Sequence, residues 1–68
     1  MEEKILNYLR TRPHGARKRE IARHLQTSMA QILNAMSRLE RKGLIVSTTY
    51  RDVANMELYS IFQIAPGA

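Results

Sequence analysis

The stretch from Ser28 to Ile45 leaves the chain few ways to fold, because it reads as one helix over 28–42 that stops at Gly43 and runs straight into an extended segment. Ser28 is a good N-cap, since its hydroxyl can accept from an orphan backbone N–H of the first turn. Gln31, three residues on, is placed to complete a capping box. Arg38, Arg41 and Lys42 crowd the C-terminal end, where positive charge suits the helix dipole. Gly43 can take the left-handed conformation that ends a helix. At about 100° per residue, Ile32, Ala35, Met36 and Leu39 fall on one side. Ala30, Asn34, Arg38 and Arg41 fall roughly opposite, Gln31 and Ser37 flank them, and Leu33 lies at the edge of the apolar stripe.

The rest of the chain has to supply what this helix packs against. Residues 2–11 read as a first helix with Ile5, Leu6 and Leu9 inward, widened by Met1 and Tyr8. Arg12-Pro13-His14-Gly15 is a breaker cluster. Residues 18–25 read as a short second helix with Ile21, Ala22 and Leu25 inward and Glu20 in its first turn. Arg17 stands where a capping Ser or Thr is expected, and is a poor cap. Gln26-Thr27 leaves only a tight turn before Ser28, which predicts a helix-turn-helix. Beyond Gly43, residues 44–49 are rich in β-branched side chains and read as a strand, and 57–64 as another. Residues 50–56 make a loop of hairpin length, and 65–68 a frayed end.

At 68 residues the chain is one domain, 1–68, and every apolar helix face has to be used in so small a core. The net charge is +5, placed unevenly: residues 10–42 hold nine Arg or Lys against Glu20 and Glu40, net +7, while the segments on either side are each net −1. The excess sits on the same segment as a helix whose outer side carries hydrogen-bonding groups. That combination points to nucleic acid as the partner. The chain has no cysteine, hence no disulfide and no thiolate metal site. No apolar run approaches the roughly 18 residues of a membrane span, and Met-Glu-Glu-Lys is not the start of a signal peptide. These features lead to the expectation of a soluble cytoplasmic protein with no membrane partner.

Helix, helix, turn, helix and hairpin is the order of a winged helix, α+β in class. The sequence resembles that family at Glu20-Ile21-Ala22 with Leu25, at Ile32 through Leu39-Glu40-Arg41-Lys42-Gly43-Leu44-Ile45, and at Tyr59-Ser60-Ile61. The likeness extends over nearly the whole chain, and is to small bacterial, plasmid or phage transcriptional regulators. It implies sequence-specific binding of double-stranded DNA with helix 28–42 in the major groove. Gln31, Asn34 and Arg38 are then the best candidates for base edges, because Gln and Asn pair bidentately with adenine and Arg with guanine. Ser28 and Ser37 join them on the helix. Arg17, Lys18, Arg19 and Arg23 are expected at phosphates, at or near the start of the helix that crosses the backbone. Arg51 is expected at the wing. Leu33 faces either a thymine methyl or a protein partner.

Other chemistry is poorly supported. His14 and His24 have no third ligand grouped with them, and no nucleophile has a His–acid arrangement, so no catalytic, metal or cofactor site and no small-molecule ligand is expected. The winged helices that bind left-handed duplexes use an Asn and a Tyr on the third helix and a proline-rich wing with Trp. Here the matching positions hold Leu33 and Ser37, the wing has no proline, and the chain has no tryptophan. The alternative is a winged-helix protein-interaction module without nucleic-acid binding. No long extra helix is present to make an obligate dimer. A monomer is expected, or a weak homodimer through the first helix (Met1, Tyr8) or the closing strand.

Overall fold

The computed structural model describes residues 1–67, so of the expected frayed end only Ala68 lies outside the described residues. The elements are α1 (Glu2–Arg10), α2 (Lys18–Leu25), α3 (Met29–Arg41), β1 (Ile45–Asp52) and β2 (Glu57–Ile64). The two strands form an antiparallel hairpin. This is the winged helix-turn-helix order that the sequence predicted.

The helix boundaries follow local chemistry. Ser28 Oγ accepts from the Gln31 N–H at 3.2 Å, the expected N-cap of α3. The box is not completed, because the Gln31 carboxamide is turned to the Thr27 hydroxyl instead. At the other end Leu44 N–H bonds to Leu39 C=O and Gly43 N–H to Glu40 C=O, both at 3.0 Å. Gly43 has φ +74°, which makes this a Schellman ending. An arginine side chain has no acceptor, so Arg17 cannot cap α2. Glu20 Oε1 instead accepts from the Arg17 N–H at 3.3 Å, half of a capping box.

The turn between α2 and α3 is built around Gln26, at φ 53°. Its N–H bonds to Arg23 C=O at 3.3 Å, and Thr27 N–H to Ala22 C=O at 3.1 Å. A side chain held in the left-handed region costs about 1–2 kcal/mol, and Gln26 makes no side-chain hydrogen bond among those found in the structure. Gln26→Gly is therefore expected to raise stability by about 1 kcal/mol, read as a higher denaturant midpoint at unchanged m-value.

The apolar stripes converge on one core. Ile5 and Leu9 of α1, Ile21 and Ala22 of α2, and Ile32, Ala35, Met36 and Leu39 of α3 meet Ile45 and Phe62 from the hairpin. No polar side chain is buried among the described residues. Tyr8, expected to widen the α1 stripe, stacks on His24 with ring centroids 4.2 Å apart, which ties α1 to α2.

Two features of the hairpin differ from the sequence expectation. The first strand runs through Asp52 rather than ending at residue 49, and it starts at Ile45 rather than 44. Tyr50 pairs with Tyr59, and their rings stack at 5.6 Å, so an aromatic cross-strand pair carries the ladder outward. Asp52 then closes the turn, its Oδ1 accepting from the N–H of Ala54 at 3.0 Å. The second difference is Ala16, which lies just after the breaker cluster and is fully buried. It exchanges two backbone hydrogen bonds with Phe62, at 3.0 and 2.9 Å, and so adds a one-residue third strand to the sheet.

Candidate nucleic-acid interface

The outer side of α3 is set by its buried side. With Ile32, Ala35, Met36 and Leu39 committed to the core, Asn34, Ser37 and Arg41 project to solvent. Their side chains have no hydrogen-bond partner among the described residues. Gln31 lies beside them, engaged with Thr27. Leu33 is exposed at 43%.

Arg38 stands differently. Its Nε donates to Glu2 Oε2 at 3.1 Å, and Lys42 Nζ donates to Glu2 Oε1 at 2.9 Å. The start of α1 thus holds two cations at the end of α3. These hydrogen bonds, Lys42 first and Arg38 second, keep the Glu2 carboxyl below its ordinary value of 4.5. A carboxylate with a depressed folded-state pKa stabilises the fold at pH values above 4.5, and that contribution is lost as the pH falls through the lowered value. Arg38 and Lys42 are exposed and Glu2 is partly exposed, so solvent screens both pairs and they add little to stability.

The second cationic group lies where α2 begins. Arg17, Lys18 and Arg19 face Thr49, Tyr59, Ser60 and the carboxylate residue Glu57 of the hairpin across an open cleft of about 360 Å³. Arg17 is held in place, its guanidinium 4.1 Å from the centre of the Tyr59 ring. Arg23, a turn further along α2, is exposed. Arg51 is paired with Leu58 in the register, two residues along from Thr49 and Ser60. Strand alternation puts it on the same sheet face as Ile45 and Phe62, the face turned to the helices. Its neighbour Asp52 is occupied with the turn and does not pair with it.

Of the nine basic residues in 10–42, Arg12 pairs with Glu20 at 3.0 Å, and Arg38 and Lys42 with Glu2. The other six, Arg10, Arg17, Lys18, Arg19, Arg23 and Arg41, have no carboxylate partner among the described residues. All ten candidate residues (Arg17, Lys18, Arg19, Arg23, Ser28, Gln31, Asn34, Ser37, Arg38 and Arg51) are exposed, in three groups: α3 with its cap, α2 with its cap, and the wing. Arg41, Lys42, Tyr59 and Thr49 border these groups and were outside the sequence candidates. For Tyr59 the only signal was an aromatic on each side of the hairpin, which is readable only once the register is known.

No relative was found among curated protein sequences. Among solved structures, the chain is similar to a point mutant of MepR from S. aureus, a winged-helix regulator of the MarR family, with 29% identity and a TM-score of 0.74. That likeness covers 94% of this chain and 46% of the other, so the chain spans about half of that protein's length. A family model described as Replication protein A C terminal, itself winged-helix-like, matches residues 1–51, as far as the wing's first strand. Three helices, a wing and a family match over most of its length place this chain in the Replication protein A C-terminal family.

Proposed function

We propose that this domain binds B-form duplex DNA in a sequence-dependent way, with α3 in the major groove, and acts as a cytoplasmic transcriptional regulator rather than an enzyme. The observation that carries this reading is the outer side of α3, where Asn34, Ser37 and Arg41 stand exposed with no partner inside the domain. A major groove admits a helix presenting such groups to base edges. The unpaired cations at the start of α2 and Arg51 at the wing supply phosphate contacts on either side. The likeness to a regulator supports the same reading.

The test is selection of bound sequences from a random duplex library, followed by titration of the selected site and of random duplex. Asn34 is outside the core, so Asn34→Ala is expected to leave the melt unchanged. It should weaken the selected site by about 1–3 kcal/mol and random duplex much less. Equal loss on both duplexes would reassign Asn34 to the phosphates.

Glu2 makes a sharper prediction. It competes with phosphate for Arg38 and Lys42, so Glu2→Gln is expected to tighten binding to every duplex. The slope of log affinity against log salt should steepen by about 0.9 for each cation released. A salt titration in which Glu2→Gln matches the parent protein would mean that neither cation reaches DNA.

A protein-interaction module is the second reading, favoured by exposed Leu33 and by the use of the matched family's domain in protein interaction. Affinity for duplex that stays flat between low and physiological salt would select it.

A further inference from the structure

The outer edge of β1 is open. Leu44 C=O accepts from Ala65 N–H at 3.0 Å, and the alternation of an antiparallel ladder then turns the N–H and C=O of Ile45, Ser47, Thr49 and Arg51 away from β2. Phe62, opposite Ser47, agrees with this phase, because its own backbone groups point outward on the other side, to Ala16. None of the four β1 residues makes a backbone hydrogen bond outside the hairpin ladder among the described residues. The usual protections of such an edge are proline, lysine, a bulge or a covering element. The segment Ile45 to Tyr50 has no proline, no charge and no bulge in its register, the one charge of the paired stretch is Arg51 at its far end, and Val46 and Tyr50 are 39% and 46% exposed.

We propose that this edge pairs with the same edge of a second copy, antiparallel, with Thr48 on the twofold axis, so that two hairpins form one four-stranded sheet. Three observations select a second copy as the occupant. First, the edge is complementary to itself. With Thr48 opposite Thr48, Ser47 faces Thr49 and Ile45 faces Arg51, so the outward backbone groups of one copy meet those of the other over all seven residues Ile45–Arg51. Second, this register sets Val46 opposite Tyr50 at a closely spaced pair, an aromatic against a β-branched side chain, and sets no like charges against each other. Tyr50 of the second copy then lies beside a recess of about 430 Å³ lined by Leu9, Pro13, Val46 and Ile64 together with Arg10 and Arg12. Third, β1 carries only Arg51 and Asp52, so it is a neutral edge along which two chains of net charge +5 can approach. The interface is isologous and closes at two copies. It does not depend on the DNA-binding reading.

The test uses the absence of cysteine from the chain. Thr48→Cys places two thiols opposite each other at a closely spaced pair, within the separation a disulfide spans. Ser47→Cys places each thiol opposite Thr49 instead. Under glutathione disulfide, Thr48→Cys is expected to give a covalent dimer at least tenfold faster than Ser47→Cys. In parallel, sedimentation of the parent protein should show the mass rising with concentration from 7.9 kDa toward twice that. Thr49→Pro removes an outward N–H and leaves the β2 ladder intact, and should hold the mass at one chain. Equal cross-linking rates for the two cysteine variants, or a parent protein that remains one chain at millimolar concentration, would overturn the proposal. So would a dimer that survives Thr49→Pro with its melt unchanged, which would place the contact on another face.

Discussion

Gly15→Ala is expected to remove about half of the domain's stability. Gly15 has φ +84°, a conformation in which an alanine costs about 1–2 kcal/mol. Space is the larger problem. An added Cβ would stand 2.4 Å from Ile61 Cγ2, 2.7 Å from Gln63 Cγ and 2.8 Å from the Phe62 carbonyl oxygen. The carbonyl belongs to backbone already bonded to Ala16 and cannot yield without breaking that bridge. Overpacking of this kind costs about 1–3 kcal/mol more. The sum is about 2–5 kcal/mol, against a total of about 3–10 kcal/mol at roughly 0.05–0.15 kcal/mol per residue. Denaturant melts of the parent and variant check this. A loss below about 1 kcal/mol would mean that the Pro13–Gly15 turn moves freely away from the sheet.

The double substitution of Arg19 and Arg23 by Ala is expected to have the largest effect on function. Both project from α2 without a carboxylate partner among the described residues, and neither touches the core. Their removal should lower affinity for every duplex alike, because phosphate contacts carry no base information. Two lost contacts reduce the salt slope by about 1.8 in magnitude, which amounts to tens of fold in affinity at low salt. The melt should hardly move. Titrations over a range of salt on selected and random duplex separate the outcomes, and a changed sequence preference would show α2 reading bases.

Much of the fold was legible because it rests on local chemistry. The limits of α3 are written in Ser28 and Gly43, each acting through hydrogen bonds to residues a few positions away. Core positions follow from helical periodicity, and Ile32, Ala35, Met36 and Leu39 are buried as expected. The hairpin was legible in outline, but its length was not. Tyr50 and Arg51 were read as loop, because the stack with Tyr59 that extends the strand joins residues nine apart, across a register the pattern does not specify.

The candidate interface divides in the same way. That Asn34 and Ser37 face outward follows from the core stripe. That Arg38 is held by Glu2 does not, since the pair spans 36 residues and depends on how α1 crosses α3. Ala16 was hidden for a similar reason. Next to a breaker cluster nothing local marks a residue that completes a sheet, and its two hydrogen bonds reach Phe62, 46 residues away. Which segments become helices and strands, and which side of each is apolar, can be read from the residues alone. These are properties of short-range hydrogen bonding and of a 3.6- or 2-residue period. Which charges remain free, how far the wing extends and where the sheet gains its third strand are set by packing between segments. Each of these depends on a contact between segments whose distance apart in sequence carries no periodic signal.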